Sequence, residues 1–205
     1  MTKTGQPTGT RRKGSQTRAD IQRAALSLFT ECGYDATSMR EIAEQLGITK
    51  AALYYHFDSK EAIILSLFQD NMRALDDLLE WAADQPLTPD LRAEFLGRWI
   101  ALSGGQGLRT MRFAAANHAA LRAVMPARQG GPLERIGRAA QLLLGPDAPL
   151  TDHLRMRMAL LSVHNAVLAA QGTDATDDDI LSLATQTATL LVSDLSPAPR
   201  LPEPE

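Results

Sequence analysis

Cysteine is almost missing from this 205-residue chain: Cys32 stands alone, so no internal disulfide can form and a packed core must hold the fold. That usage suits a reducing, cytoplasmic setting. Long apolar runs are missing too. The most apolar stretch, residues 158–170, is interrupted by Ser162, His164 and Asn165 and falls short of the roughly 20 residues a membrane helix needs, so no membrane span is expected. The first 20 residues are polar and basic, without the apolar segment of a secretory signal. No alternating strand pattern and no repeat of fixed period occurs.

The chemistry of an enzyme is equally thin. His56, His118, His153 and His164 show no HExxH or comparable metal-ligand spacing. Cys32 is expected on the apolar face of a helix with nothing to activate it. Gly104-Gly105-Gln106-Gly107 has neither the preceding strand nor the following lysine of a phosphate loop. No catalytic residue, metal or cofactor is expected, and a small all-α enzyme is the remote alternative.

What is present is 44% apolar and 22% charged residues, an ordinary globular composition. The net charge of −3 is unevenly spread: residues 1–60 carry +3 and hold all four lysines, while residues 61–205 carry −6. A small basic unit joined to a larger acidic one suits a polyanion-binding module on a body with another task.

Helical periodicity accounts for nearly everything else. Residues 1–14 read as a flexible basic arm. Ile21, Ala24, Ala25, Leu28, Phe29 and Cys32 mark a first helix from Thr17, stopped by Gly33. Ser38 with Glu41 forms a capping box for a short second helix ending before Gly47. Thr49 caps a third, residues 50–57, and Asp58 with Glu61 reads as the box of a fourth, reaching Ala83 before Pro86. Thr88-Pro89 opens another helix. Further helices are expected near 106–124 and 132–144, then at about 152–171 behind Thr151 and 177–195 behind Thr176. Residues 197–205 are expected to be a disordered tail. The fold class is all-α, with about nine helices.

The pair of short helices joined at Leu46-Gly47-Ile48 is a helix-turn-helix candidate, because Gly47 permits the tight turn and Ala43 the close approach. On the third helix Ala51, Tyr54 and Tyr55 share one arc while Leu53 and Phe57 lie opposite as core anchors. A small and aromatic exposed face fits a major groove, although both tyrosines could instead pack on neighbouring helices. Residues 37–61, TSMREIAEQLGITKAALYYHFDSKE, closely resemble the signature of the TetR family, and the likeness runs from about Ser15 to Leu75.

That resemblance implies a three-helix DNA-binding domain over residues 15–75 and a larger helical ligand-binding and dimerisation domain over 76–196. Arg40 would read a base from the second helix. Lys50, Ala51, Ala52 and Tyr54 would lie at or near base edges, Ser38, Tyr55, His56 and Lys60 would meet phosphates, and Thr49 is a further DNA-binding candidate. Ala52 departs from the hydroxyl residue that many members carry, which removes one polar contact. Lys60 sits where the helix dipole disfavours a cation, which argues for an anionic partner, and Lys60→Gln would then flatten the salt dependence of DNA binding.

The resemblance further implies a two-fold dimer through the last two helices, with Leu154, Met158, Leu161, Leu168, Ile180, Leu183, Thr187 and Leu191 as interface candidates, and hence an inverted-repeat operator on double-stranded DNA. It implies a small-molecule effector among the middle helices, with Met72, Trp99, Phe113, Asn117, His118 and His164 as candidate lining. The expected function is a ligand-responsive transcriptional regulator, most simply a repressor, in the cytoplasm. A constitutive DNA-binding protein without a ligand is the nearer alternative.

Overall fold

A computed structural model describes residues 9–118, 121, 131–193 and 195, with side chains from Gly14 onward. Ten α-helices and no strand occur among them. The chain divides into two units, one through Phe68 and one from Gln69. That division falls inside a helix, seven residues before the boundary expected at residue 75.

The first unit holds α1 (Gly9–Glu31), α2 (Met39–Gln45), α3 (Lys50–His56) and the start of α4 (Lys60–Ala83). Helix α1 begins at Gly9, eight residues ahead of the expected Thr17, and residues 1–8 of the expected arm lie outside the described part. Ile21, Ala25 and Phe29 recur every fourth residue and are fully or almost fully buried, with Ile42, Leu53, Phe57, Ile63, Ile64 and Leu67 completing the core. Gln22 is buried as well, and its amide donates to the Ser66 hydroxyl at 2.9 Å, which removes the cost of an unpaired polar group.

Each short helix is delimited by local chemistry. The Ser38 capping box opens α2, and Thr49 Oγ1 accepts from the Ala52 amide to open α3. Gly33 at φ +92° and Gly47 at φ +63° make the turns before α2 and α3, a backbone region that side chains with a Cβ disfavour. Two expectations need correction. Cys32 is exposed rather than on the buried face, because α1 ends one residue earlier and the chain turns there. Helix α4 is opened by Ser59, whose hydroxyl accepts from the Ala62 amide, while the Glu61 carboxylate turns instead to Tyr34.

The second unit holds the rest of α4, α5 (Pro89–Leu102), α6 (Gln106–Ala116), α7 (Pro132–Leu144), α8 (Leu150–Leu160), α9 (Ser162–Ala169) and α10 (Asp177–Val192). Its core is continuous, running through Leu79, Phe95, Trp99, Leu108, Ala140, Leu143, Met156, Val163 and Ala184. Thr88 and Thr176 cap as the sequence indicates, Thr176 with a full box to Asp179. Thr151 does not, since α8 starts one residue before it without a side-chain cap.

The single helix expected over 152–171 is broken at Leu161. The Trp99 indole donates to the Leu160 carbonyl at 3.0 Å at that break, a contact 61 residues away in sequence that periodicity cannot reveal. Polar links tie the unit further. Arg135 grips Asp76 through two hydrogen bonds of 2.7 and 2.6 Å, joining α7 to α4. Arg92, buried on α5, donates Nε to the Leu143 carbonyl at 3.0 Å beside buried Asp152. No helix of the described residues is long and apolar enough to cross a membrane.

Candidate nucleic-acid interface

Helix α3 has seven residues, and Leu53 is the one fully buried among them; Phe57 fixes its end. Everything else on α3 is set by that anchor. Ala51 is exposed, Tyr54 is 41% exposed and Tyr55 85% exposed, so both tyrosines face outward rather than into the core. Lys50 places its ammonium 5.6 Å from the centre of the Tyr54 ring, and Tyr55 meets the His56 ring edge-on at 5.2 Å. Ala52 is half-buried, and its amide is taken by Thr49.

The face continues on α2. Arg40 is 78% exposed, and its Nε donates to Glu44 Oε1 at 2.7 Å. That bond, with the charge of Glu44, raises the guanidinium's pKa further.

Two of the expected phosphate ligands are otherwise engaged. Ser38 gives both its amide and its hydroxyl to Glu41 Oε2, each at 2.7 Å, and these bonds hold the Glu41 carboxyl below the usual carboxylate range. Lys60 Nζ donates to the backbone carbonyls of Tyr34, Thr37 and Asp35 at 2.7, 3.2 and 3.4 Å. Local sequence does not reveal this, because the three carbonyls lie 23 to 26 residues earlier. Arg18 was not singled out from sequence either. It stacks 4.3 Å above the Phe57 ring and donates to the His56 carbonyl at 3.4 Å, fastening α1 to the end of α3.

Ser38→Ala is expected to cost about 1 kcal/mol of stability at neutral pH, the usual worth of an N-cap. The depressed Glu41 carboxyl contributes only when ionised, so its share is present above the ordinary carboxylate range and fades as pH falls through the lowered value. Thermal melts of both forms at neutral and strongly acidic pH should therefore converge on acidification.

In the second unit the expected effector residues differ in burial. Trp99 and Phe113 are buried in the core, Met72 and Asn117 are half-buried, and His118 and His164 are exposed. Asn117 donates its side-chain amide to the Phe113 carbonyl at 3.0 Å. Of the expected interface residues, Leu154, Met158, Leu168, Leu183 and Thr187 are exposed, Leu161 and Leu191 are half-buried, and Ile180 belongs to the core. Leu150 and Leu190, not foreseen, extend the exposed stripes on α8 and α10. Among the described residues no group of three His, Cys, Asp or Glu side chains is placed to hold a metal.

An anchored recognition helix behind a glycine turn, with its small, cationic and aromatic face outward, defines a helix-turn-helix DNA-binding unit on a larger helical body. Residues 21–67 match the family of bacterial regulatory proteins, tetR family. The biofilm operon icaADBC HTH-type negative transcriptional regulator IcaR of Staphylococcus aureus (strain Newman) is 56% identical over 39 residues, 19% of this chain and 21% of that protein. The chain is thus matched over about a fifth of that relative's length. A TetR-family transcriptional regulator from Marinobacter aquaeolei VT8 superposes with a TM-score of 0.63 at 25% identity, covering 88% of this chain and 92% of that one. A gamma-butyrolactone receptor described as ArpA-like superposes with a TM-score of 0.55 at 22% identity over 87% and 99% of the two chains. Residues 21–67 thus carry the sequence of the tetR family, and the described fold as a whole is that of TetR-family regulators.

Proposed function

We propose that this protein is a dimeric transcriptional repressor that binds an inverted-repeat operator through α2 and α3 and is released by a small-molecule effector, acting in the cytoplasm. The observation that carries the reading is the outward face of α3: Lys50, Ala51, Tyr54 and Tyr55 stand exposed on a helix whose buried leucine fixes their direction. In this reading Arg40, Lys50, Ala51, Ala52 and Tyr54 meet base edges, and Thr49, Tyr55 and His56 meet phosphates. The negative regulator IcaR among its relatives supports the sign of regulation, and the receptor among its fold neighbours supports a ligand in the second unit.

Two-fold pairing through the exposed stripes of α8 and α10 would present two α3 helices to successive major grooves, one or more turns of about 34–36 Å apart. Release then requires that the effector bind the DNA-incompetent arrangement more tightly. A preference of about 1–3 kcal/mol changes DNA affinity roughly 5- to 150-fold. Met72, Trp99, Phe113 and Asn117 are the partly or fully buried candidates from which such a site would be built.

The test is to select duplex fragments with the purified protein, then to titrate Arg40→Ala against the selected site. Loss of about 1–3 kcal/mol with relaxed preference at one base pair per half-site is expected. Unchanged affinity and unchanged preference would remove Arg40 from the interface. Small molecules that displace the selected fragment identify the effector class.

A further inference from the structure

We propose that Lys60 is a positioning residue of the DNA-binding unit, clamping the start of α4 to the turn that launches α2, and is not one of the cations that neutralise phosphate. The proposal rests on the DNA-binding reading above.

A lysine ammonium has three N–H donors. Here three backbone carbonyls, those of Tyr34, Asp35 and Thr37, all lie within 3.4 Å of it. The Tyr34 ring lies 4.4 Å from the same nitrogen. Reaching out to a phosphate would strip the Tyr34 and Thr37 carbonyls of their donor in a part-buried setting, where an unmatched polar group is costly.

The next residue completes the grip. The Tyr34 phenol donates to Glu61 Oε1 at 2.7 Å, a bond that holds the Glu61 carboxyl down, while burial pushes the phenol up. Lys60 and Glu61 thus hold one tyrosine by its backbone and by its side chain. The clamp reaches α2 through a single peptide unit. The Thr37 carbonyl accepts from Lys60 at 3.2 Å, and the Ser38 amide of that same peptide donates to Glu41 at 2.7 Å. The plane from which α2 departs is therefore fixed on both sides, once from α4 and once from α2 itself. A planar peptide transmits a displacement of one side to the other, so the start of α4 and the direction of Arg40 are mechanically linked.

Binding of wild-type protein, Lys60→Gln and Tyr34→Phe to the selected operator, measured across a range of salt concentrations with thermal melts as folding controls, tests this. For folded Lys60→Gln, affinity should fall tenfold or more, preference at the base pair read by Arg40 should relax, and the slope of log K against log salt should stay that of wild type. A slope shallower by about one unit with preference retained is the signature of a lost phosphate contact and overturns the proposal. Unchanged affinity in a folded but less stable variant reduces Lys60 to a stability role and overturns it too. Tyr34→Phe removes the bond to Glu61 without altering charge, so it should relax the same preference to a smaller degree. If Lys60→Gln does not fold, unrelaxed preference in Tyr34→Phe overturns the proposal. Failure of wild type to bind any duplex defeats the DNA-binding reading itself, and is seen before either variant is compared.

Discussion

A variant carrying Leu154→Glu and Leu183→Glu together is expected to sediment as a monomer and to lose its hold on an inverted-repeat operator. Leu154 on α8 is 50% exposed and Leu183 on α10 is 54% exposed. They are flanked by Leu150 and Met158 on one helix and by Leu190 on the other, all exposed. A surface stripe of large apolar side chains of this extent marks an interaction site. Half-exposed leucines still have about 1 kcal/mol each to gain on burial, and two-fold symmetry doubles the two positions, so roughly 4 kcal/mol is at stake, about a thousandfold in dimer dissociation. Introducing carboxylates adds repulsion between like charges. Sedimentation equilibrium reads the outcome directly, and a double variant that stays dimeric would move the interface elsewhere. Operator affinity should fall with it while binding to a single half-site persists.

Leu53→Ala is expected to cost about 2–5 kcal/mol, the range for truncating a fully buried leucine, and to abolish operator binding ahead of global unfolding. Leu53 has no exposed surface and is the one fully buried side chain within α3. Without it the Thr49 cap and the Arg18 bond to the His56 carbonyl remain, but neither directs the exposed tyrosines. A helix of seven residues does not persist without tertiary support. Hydrogen exchange should show protection lost over residues 50–56 while the core of the second unit stays protected. Retained operator affinity in a folded Leu53→Ala protein would mean that α3 is held by something other than this anchor.

The elements governed by local chemistry were legible in the sequence. Ser38 with Glu41, Thr49, Thr88-Pro89 and Thr176 each announce a helix start through side chains that satisfy amides three residues away, and each does so in the structure. The opposed arcs of α3 followed from a 100° step per residue, which put Leu53 and Phe57 inside and both tyrosines outside. The Asp58–Glu61 box and the Thr151 cap, local signals too, are not used, and most of what else escaped was long-range. Periodicity over 152–171 shows an unbroken helix because the Trp99 indole that reaches Leu160 lies on another element. The partners of Lys60 were hidden for the same reason, and a lysine at a helix start then reads as one awaiting an anion.

The interface lists divide along similar lines. Leu154 and Met158 are on an exposed face because their spacing puts them opposite Met156 and Ala159, which are buried, and Leu183 is exposed about a quarter turn from buried Ala184. Ile180 shares the apolar pattern but falls on the inward arc, and sequence has no means of deciding which arc faces home. Among the effector candidates His118 and His164 are exposed while Trp99 and Phe113 are buried, a difference that composition, which names suitable side chains without fixing their direction, does not reveal.

Both indoles, Trp81 and Trp99, reside in the body beyond Gln69, the first beneath Arg98 at 3.9 Å and the second stacked on Phe95 at 5.8 Å. Tyr34, Tyr54 and Tyr55 all lie in the amino-terminal bundle, so emission excited on the red edge, where tyrosine does not absorb, is a private reporter of the body that holds the indoles. An inducer titration can be followed optically with an unlabelled oligonucleotide already in place, and a change in signal would register events around Trp81 and Trp99.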